Sequence, residues 1–129
     1  MKKVIFTILA ALSLTLGLAS VASAKDQIPM GEVFLGSYEV AIGSTYSDYC
    51  TATLSHINLV VHESSGATQF IPQYRKPNGV WTSMTSTWQS VGNEGWATYN
   101  INAVKGNDYR LQLRSGNSPL TTKGSVTCW

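Results

Sequence analysis

Val104-Lys105-Gly106-Asn107-Asp108-Tyr109-Arg110-Leu111-Gln112-Leu113-Arg114 places a regular polar–apolar alternation directly behind a turn signal. Gly106-Asn107-Asp108 supplies residues that accept positive φ or bond their own backbone, so the chain reverses there. Tyr109, Leu111 and Leu113 then share one parity, and Arg110, Gln112 and Arg114 share the other. Successive side chains of a strand point to opposite faces. The run is therefore a strand with one face in a core and one in water. No helical apolar period fits it.

Outward from this strand the same grammar recurs. Turn signals at Gly43-Ser44, Ser64-Ser65-Gly66, Pro77-Asn78-Gly79, Gly92-Asn93-Glu94-Gly95 and Gly116-Asn117-Ser118-Pro119 separate runs rich in Val, Ile, Thr, Tyr, Phe and Trp. Such residues favour a pleated surface. The pattern predicts seven strands, over 33–42, 49–62, 67–75, 80–89, 95–101, 108–114 and 121–128. Phe34, Tyr38, Val40 and Ile42 are expected on one face of the first, and Ile57, Leu59 and Val61 on one face of the second. Many short strands at this spacing mean a sandwich or barrel. The expected fold is an all-β, small antiparallel β-sandwich spanning 33–129.

The run from Val104 to Leu113 also resembles the E–F corner of immunoglobulin and fibronectin type III domains, where an apolar residue and a Gly turn precede a Tyr that starts strand F. The resemblance implies an immunoglobulin/fibronectin-III-like architecture, with the Tyr109 hydroxyl capping a backbone group upstream.

The N-terminus reads as an export signal. Met1-Lys2-Lys3 is basic, Val4 to Val21 is uncharged and apolar, and Ala22-Ser23-Ala24 is a small-residue cleavage site. Residues 1–24 are the expected signal peptide and 25–32 a flexible lead. With no second apolar run, no integral membrane segment is expected after cleavage. Removing Lys2 and Lys3 also removes the formal charge of +2, which leaves a neutral chain whose only adjacent cations are Arg75-Lys76. Nucleic-acid binding needs a basic cluster, so it is excluded. Cys50 and Cys128 are the two cysteines. In an oxidising compartment they form a disulfide, which closes a loop of 79 residues, 50 through 128.

Catalytic patterns are missing. His56 and His62 have the same parity on one expected strand and stand roughly 20 Å apart, too far for a shared metal. Their neighbours 57, 59 and 61 are apolar, so both histidines face solvent. There is no H-E-x-x-H, no G-x-S-x-G and no phosphate loop. Asp48 with His56 fixes no triad geometry, and Glu39, Glu63 and Glu94 form no visible pair. No catalytic residue, metal ligand or cofactor is assigned.

Aromatic residues are the remaining signal. Trp81, Trp88 and Trp96 crowd the middle of the chain, and a hairpin at Gly92 would set Trp88 opposite Trp96. Tyr74, Arg75 and Trp81 flank the Pro77-Asn78-Gly79 turn. Such tryptophans serve either as core anchors or as a platform for a sugar or headgroup. Trp129, next to Cys128, is expected over the disulfide.

Tyr46-Ser47-Asp48-Tyr49, His56, Val60-Val61, Gly66 and Gly79-Val80-Trp81 are similar to the middle of the lactococcin-type bacteriocins. Those are small exported β-sandwich proteins that act on the cell wall of related bacteria. The likeness covers about a third of the mature chain, which is longer than that pattern and carries two cysteines. It implies roles for Tyr46, Tyr49, His56 and Trp81.

The expected function is binding without catalysis by a secreted, disulfide-bonded sandwich. The candidate surface is Tyr74, Trp81, Trp88 and Trp96, and the partner is a cell-wall polymer, a glycan or a protein. The alternatives are a bacteriocin-like effector and an extracellular hydrolase.

Overall fold

In the computed structural model, which describes residues 31–129, the chain forms ten strands. They are β1 (Val33–Val40), β2 (Ser44–Tyr46), β3 (Cys50–Thr51), β4 (His56–Ser65), β5 (Thr68–Arg75), β6 (Thr82–Ser83), β7 (Gln89–Ser90), β8 (Trp96–Asn102), β9 (Asp108–Ser115) and β10 (Thr122–Cys128). The expected signal peptide, 1–24, and most of the expected lead, 25–32, lie outside the described residues. Among the described residues no helix is long and apolar enough to cross a membrane.

One sheet runs β1-β10-β4-β8 and the other β2-β9-β5-β6, with β3 also on β9 and β7 also on β5. All pairs are antiparallel. The two-sheet sandwich is as the sequence predicts. β2 and β3 form one interrupted edge, and β6 and β7 form the other. The expected strand 80–89 is thus two short pieces, and the expected 49–62 divides into β3 and β4 on different sheets. Counted this way, about eight ribbons run 1-8-3-6 and 2-7-4-5, the order of a jelly roll. An immunoglobulin order would instead put strands one, two, five and four in one sheet. The difference arises because nearly every connection passes from one sheet to the other; only β5 to β6 turns back within its own sheet.

The inner faces meet in one core. Leu35, Ile57, Leu59, Val61, Ile101 and Val126 come from the first sheet, and Phe70, Leu111 and Leu113 from the second. Full burial of each such side chain contributes about 1.5–3 kcal/mol. The alternation expected in β9 and β4 holds. In β1 it breaks: Leu35 is buried, whereas Phe34 is 62% exposed. A bulge between Phe34 and Ser37 shifts the pairing with β10, and Gly36 sits there at φ +101°. Glycine alone reaches that region without strain. Ile42 lies beyond the end of β1 and is also exposed.

A polar seam crosses this core. The Tyr38 hydroxyl donates to Thr68 Oγ1 at 2.8 Å, Thr68 donates to Thr122 Oγ1 at 2.5 Å, and Thr122 donates to the Ser65 carbonyl at 3.1 Å. The direction follows from the last bond, whose acceptor has no proton to give. Burial raises the Tyr38 pKa above its ordinary value. Gly124 lies opposite Tyr38, where any Cβ would run into the Tyr38 phenol and the His62 carbonyl.

Two covalent or directional ties close the sandwich. Cys50 of β3 and Cys128 of β10 form a disulfide, with Cα atoms 6.5 Å apart, that joins the two sheets. At the crossing from β8 to β9, the Val104 amide donates to the Tyr109 hydroxyl at 2.9 Å. That is the tyrosine corner expected from the sequence. Trp129 continues the β10 pairing through backbone bonds in both directions with Asn58, and the residue is 55% exposed.

Candidate binding face

The outward face of the β2-β9-β5-β6 sheet begins with register. β5 and β9 pair Gln69 with Arg114, Gln73 with Arg110 and Arg75 with Asp108. The side chains bond along these pairs. Arg114 Nε donates to Gln69 Oε1 at 2.9 Å, and Arg110 Nε donates to Gln73 Oε1 at 2.9 Å. Arg75 donates through Nε and Nη2 to Asp108 Oδ2, at 3.1 and 2.7 Å. Thr51 Oγ1 donates to Asp108 Oδ1 at 2.7 Å, so both carboxylate oxygens are engaged.

The interrupted edges deliver aromatic rings over these guanidinium groups. Tyr46 ends β2 and Tyr49 follows it in the gap before β3. Ser47 holds that gap to β9: its amide donates to the Leu111 carbonyl and its hydroxyl accepts from the Leu111 amide, both at 2.9 Å. From the opposite edge, Trp81 precedes β6 and Trp88 precedes β7. Arg110 lies 4.0 Å from the Tyr46 ring centroid and 4.1 Å from that of Trp81. Arg75 lies 4.5 Å from Trp81 and 5.0 Å from Tyr49, and Arg114 lies 4.0 Å from Trp88. Tyr49 and Trp81 touch at 5.9 Å between centroids. A cation over an aromatic face within about 6 Å is held by the ring quadrupole. Arginine and ring together order each other into a row of alternating charge and π-surface.

The charges on this face are unequal. Asp108 neutralises Arg75 and raises its pKa further. Burial beside the rings lowers that of Arg110, but a guanidinium stays charged throughout the physiological range. Arg110 and Arg114 meet only neutral amides on β5. Beside Arg114 and Trp88 opens a cleft of about 690 Å³, rimmed by Ser44, Gln69 and Asn117.

The structure sorts the residues singled out from the sequence. Trp81 and Trp88 lie on this face, with Tyr46 and Tyr49. Tyr74 points the other way and packs against the core. Trp96 is on the opposite sheet, 56% exposed, stacked on His62 with ring centroids 4.0 Å apart. The expected Trp88–Trp96 pair does not form, because the Gly92 turn carries the chain from β7 in one sheet to β8 in the other. His56 opens β4 on that same far sheet and is exposed, as is His62. Among the described residues no group of three His, Cys, Asp or Glu side chains is placed to hold a metal ion. Arg110 and Arg114 were legible as outward residues of β9; what made them a site, the rings brought from both edges, was not. No protein-family model matches this chain, and no curated protein matches it either.

Proposed function

We propose that this is a secreted protein that works by binding, without catalysis, and that its ligand is a cell-wall polymer or glycan lying on the Arg–aromatic face. The observation that carries this reading is the row of Tyr46, Trp81 and Trp88 held against Arg110 and Arg114 on the outside of one sheet. Core anchors would point inward; here Tyr46 is half-exposed and Trp81 and Trp88 are partly buried on an outward face, set against Arg110 and Arg114, which Gln73 and Gln69 hold in place. A ring fixed in this way offers a flat apolar surface at little further entropic cost, which is what a sugar ring needs to stack. Export is supported by the basic, apolar and small-residue segments of 1–24, and by a disulfide of the kind that persists in oxidising compartments.

Sedimentation with insoluble cell wall tests the reading. The purified protein is expected in the pellet. Trp81→Ala and Trp88→Ala are expected to leave most of it in the supernatant, and Trp96→Ala, on the other sheet, to change nothing. Equal retention of all three variants would refute it.

A second reading is an effector acting on the envelope of related bacteria. It is favoured by the convergence of Tyr46, Tyr49 and Trp81, three of the four residues to which the bacteriocin resemblance gives roles, around Arg75 and Arg110. Growth inhibition of related strains by the purified protein separates the two.

A further inference from the structure

The donors of the face are incompletely used. Within the described residues the structure gives Arg110 one hydrogen-bond acceptor, Gln73, and Arg114 one, Gln69, each through Nε. Among the described residues the terminal Nη groups, which form the fork that suits a carboxylate or phosphate, have no side-chain acceptor. Arg75 marks the contrast, since its fork is occupied by Asp108. The Arg110 guanidinium lies 4.0 and 4.1 Å from the Tyr46 and Trp81 ring centroids, and that of Arg114 lies 4.0 Å from Trp88, so rings rather than counter-charges stand beside both. The two arginines are four residues apart on one strand face, so they stand about 13 Å apart along β9. Arg114 opens onto the cleft with Trp88, where a ring-sized group has room beside the charge.

We infer that the ligand of this face is an extended acidic glycan, whose carboxylate or phosphate groups are held by the Nη donors of Arg110 and Arg114 while its sugars lie against the rings. This rests on the reading of the face as the ligand surface, and adds the ligand's charge. A neutral glycan would leave two partly buried cations without counter-charge. A repeating anion satisfies both at once, because the arginines lie in line on one strand.

Binding to four probes tests the inference: polygalacturonate, the same polymer with its carboxyls reduced to alcohols, a phosphomannan and single-stranded oligo(dT). The first and third separate a carboxylate source from a phosphate source. The expected result is binding to at least one acidic glycan at least tenfold tighter than to the reduced polymer, and weakened by salt between 50 and 500 mM. Arg110→Gln and Arg114→Gln should each weaken it about tenfold or more, while Lys105→Gln, an equal loss of charge in an exposed loop, should change it less than twofold. If an arginine variant fails to fold, the salt dependence and the reduced polymer decide with the unaltered protein. Equal affinity for the reduced polymer, with loss in Trp81→Ala, would overturn the acidic ligand and keep the face. Tighter binding to oligo(dT) would overturn the glycan. Absence of binding to every probe and to whole wall would overturn both readings together.

Discussion

Tyr109 shows how much one side chain settles. It is the second residue of β9, is buried, and reaches back to take the Val104 amide at 2.9 Å. That bond helps to pin the crossing from one sheet to the other, together with backbone bonds from Ala103 to Ser55 and between Ala52 and Gly106-Asn107. Tyr109→Phe keeps the ring and removes the acceptor. Because Val104 is itself exposed, water replaces part of the lost bond, and the expected cost is about 1 kcal/mol. Urea unfolding measures it, and an unchanged midpoint would show that the corner is decorative. This contact was legible in the sequence because turn, tyrosine and the donating amide lie within six residues. The roles of Arg110 and Arg114 were not: each needs rings contributed from more than 20 residues away.

At the scale of the element, β1 is the instructive departure. Simple alternation puts Phe34 and Tyr38 on one face. The bulge at Gly36 instead turns Leu35 and Tyr38 both inward and leaves Phe34 outside. Nothing in the alternation of β1 alone announces this, since a glycine in a strand is compatible with both arrangements. The bulge depends on a φ that a branched residue adopts only under strain. Gly36→Val is therefore expected to cost about 1–3 kcal/mol, whereas Gly31→Val, before the strand and in open space, should stay within about 0.5 kcal/mol. Thermal unfolding of the two variants side by side makes the comparison. The interrupted edges tell a similar story. The expected strand 80–89 pairs only at 82–83 and 89–90, and its unpaired residues carry Trp81 and Trp88 onto the binding face.

The whole molecule is held by a core shared between two sheets and by one cross-link between them. Cys50 and Cys128 are 78 residues apart in sequence, and closing so long a loop removes about 4.5 kcal/mol of chain entropy from the unfolded state in the usual model. A small domain has only about 5–15 kcal/mol in all. Reduction with excess thiol, or the double variant Cys50→Ala/Cys128→Ala, is expected to lower the unfolding free energy by about 2–4.5 kcal/mol. Chemical denaturation with and without reductant reads the difference, and a shift below 0.5 kcal/mol would mean that the cross-link constrains little. The opposite placement of Trp81 and Trp96 is also a property of this scale, for it follows from the sheet to which each strand belongs.

The residues alone determined the period-two patterns, the inward residues of β9 and β4, the tyrosine corner and the one possible pairing of thiols. Each is local, or, for the thiols, a choice with a single solution. Which strands become neighbours was decided only by the folded chain. A turn signal states that the backbone reverses, yet the same residues serve a hairpin and a corner between sheets. The choice between them depends on which distant apolar face is available to be covered. In this protein that choice separated Trp88 from Trp96, and it gathered Tyr46, Trp81 and Trp88 around Arg110 and Arg114.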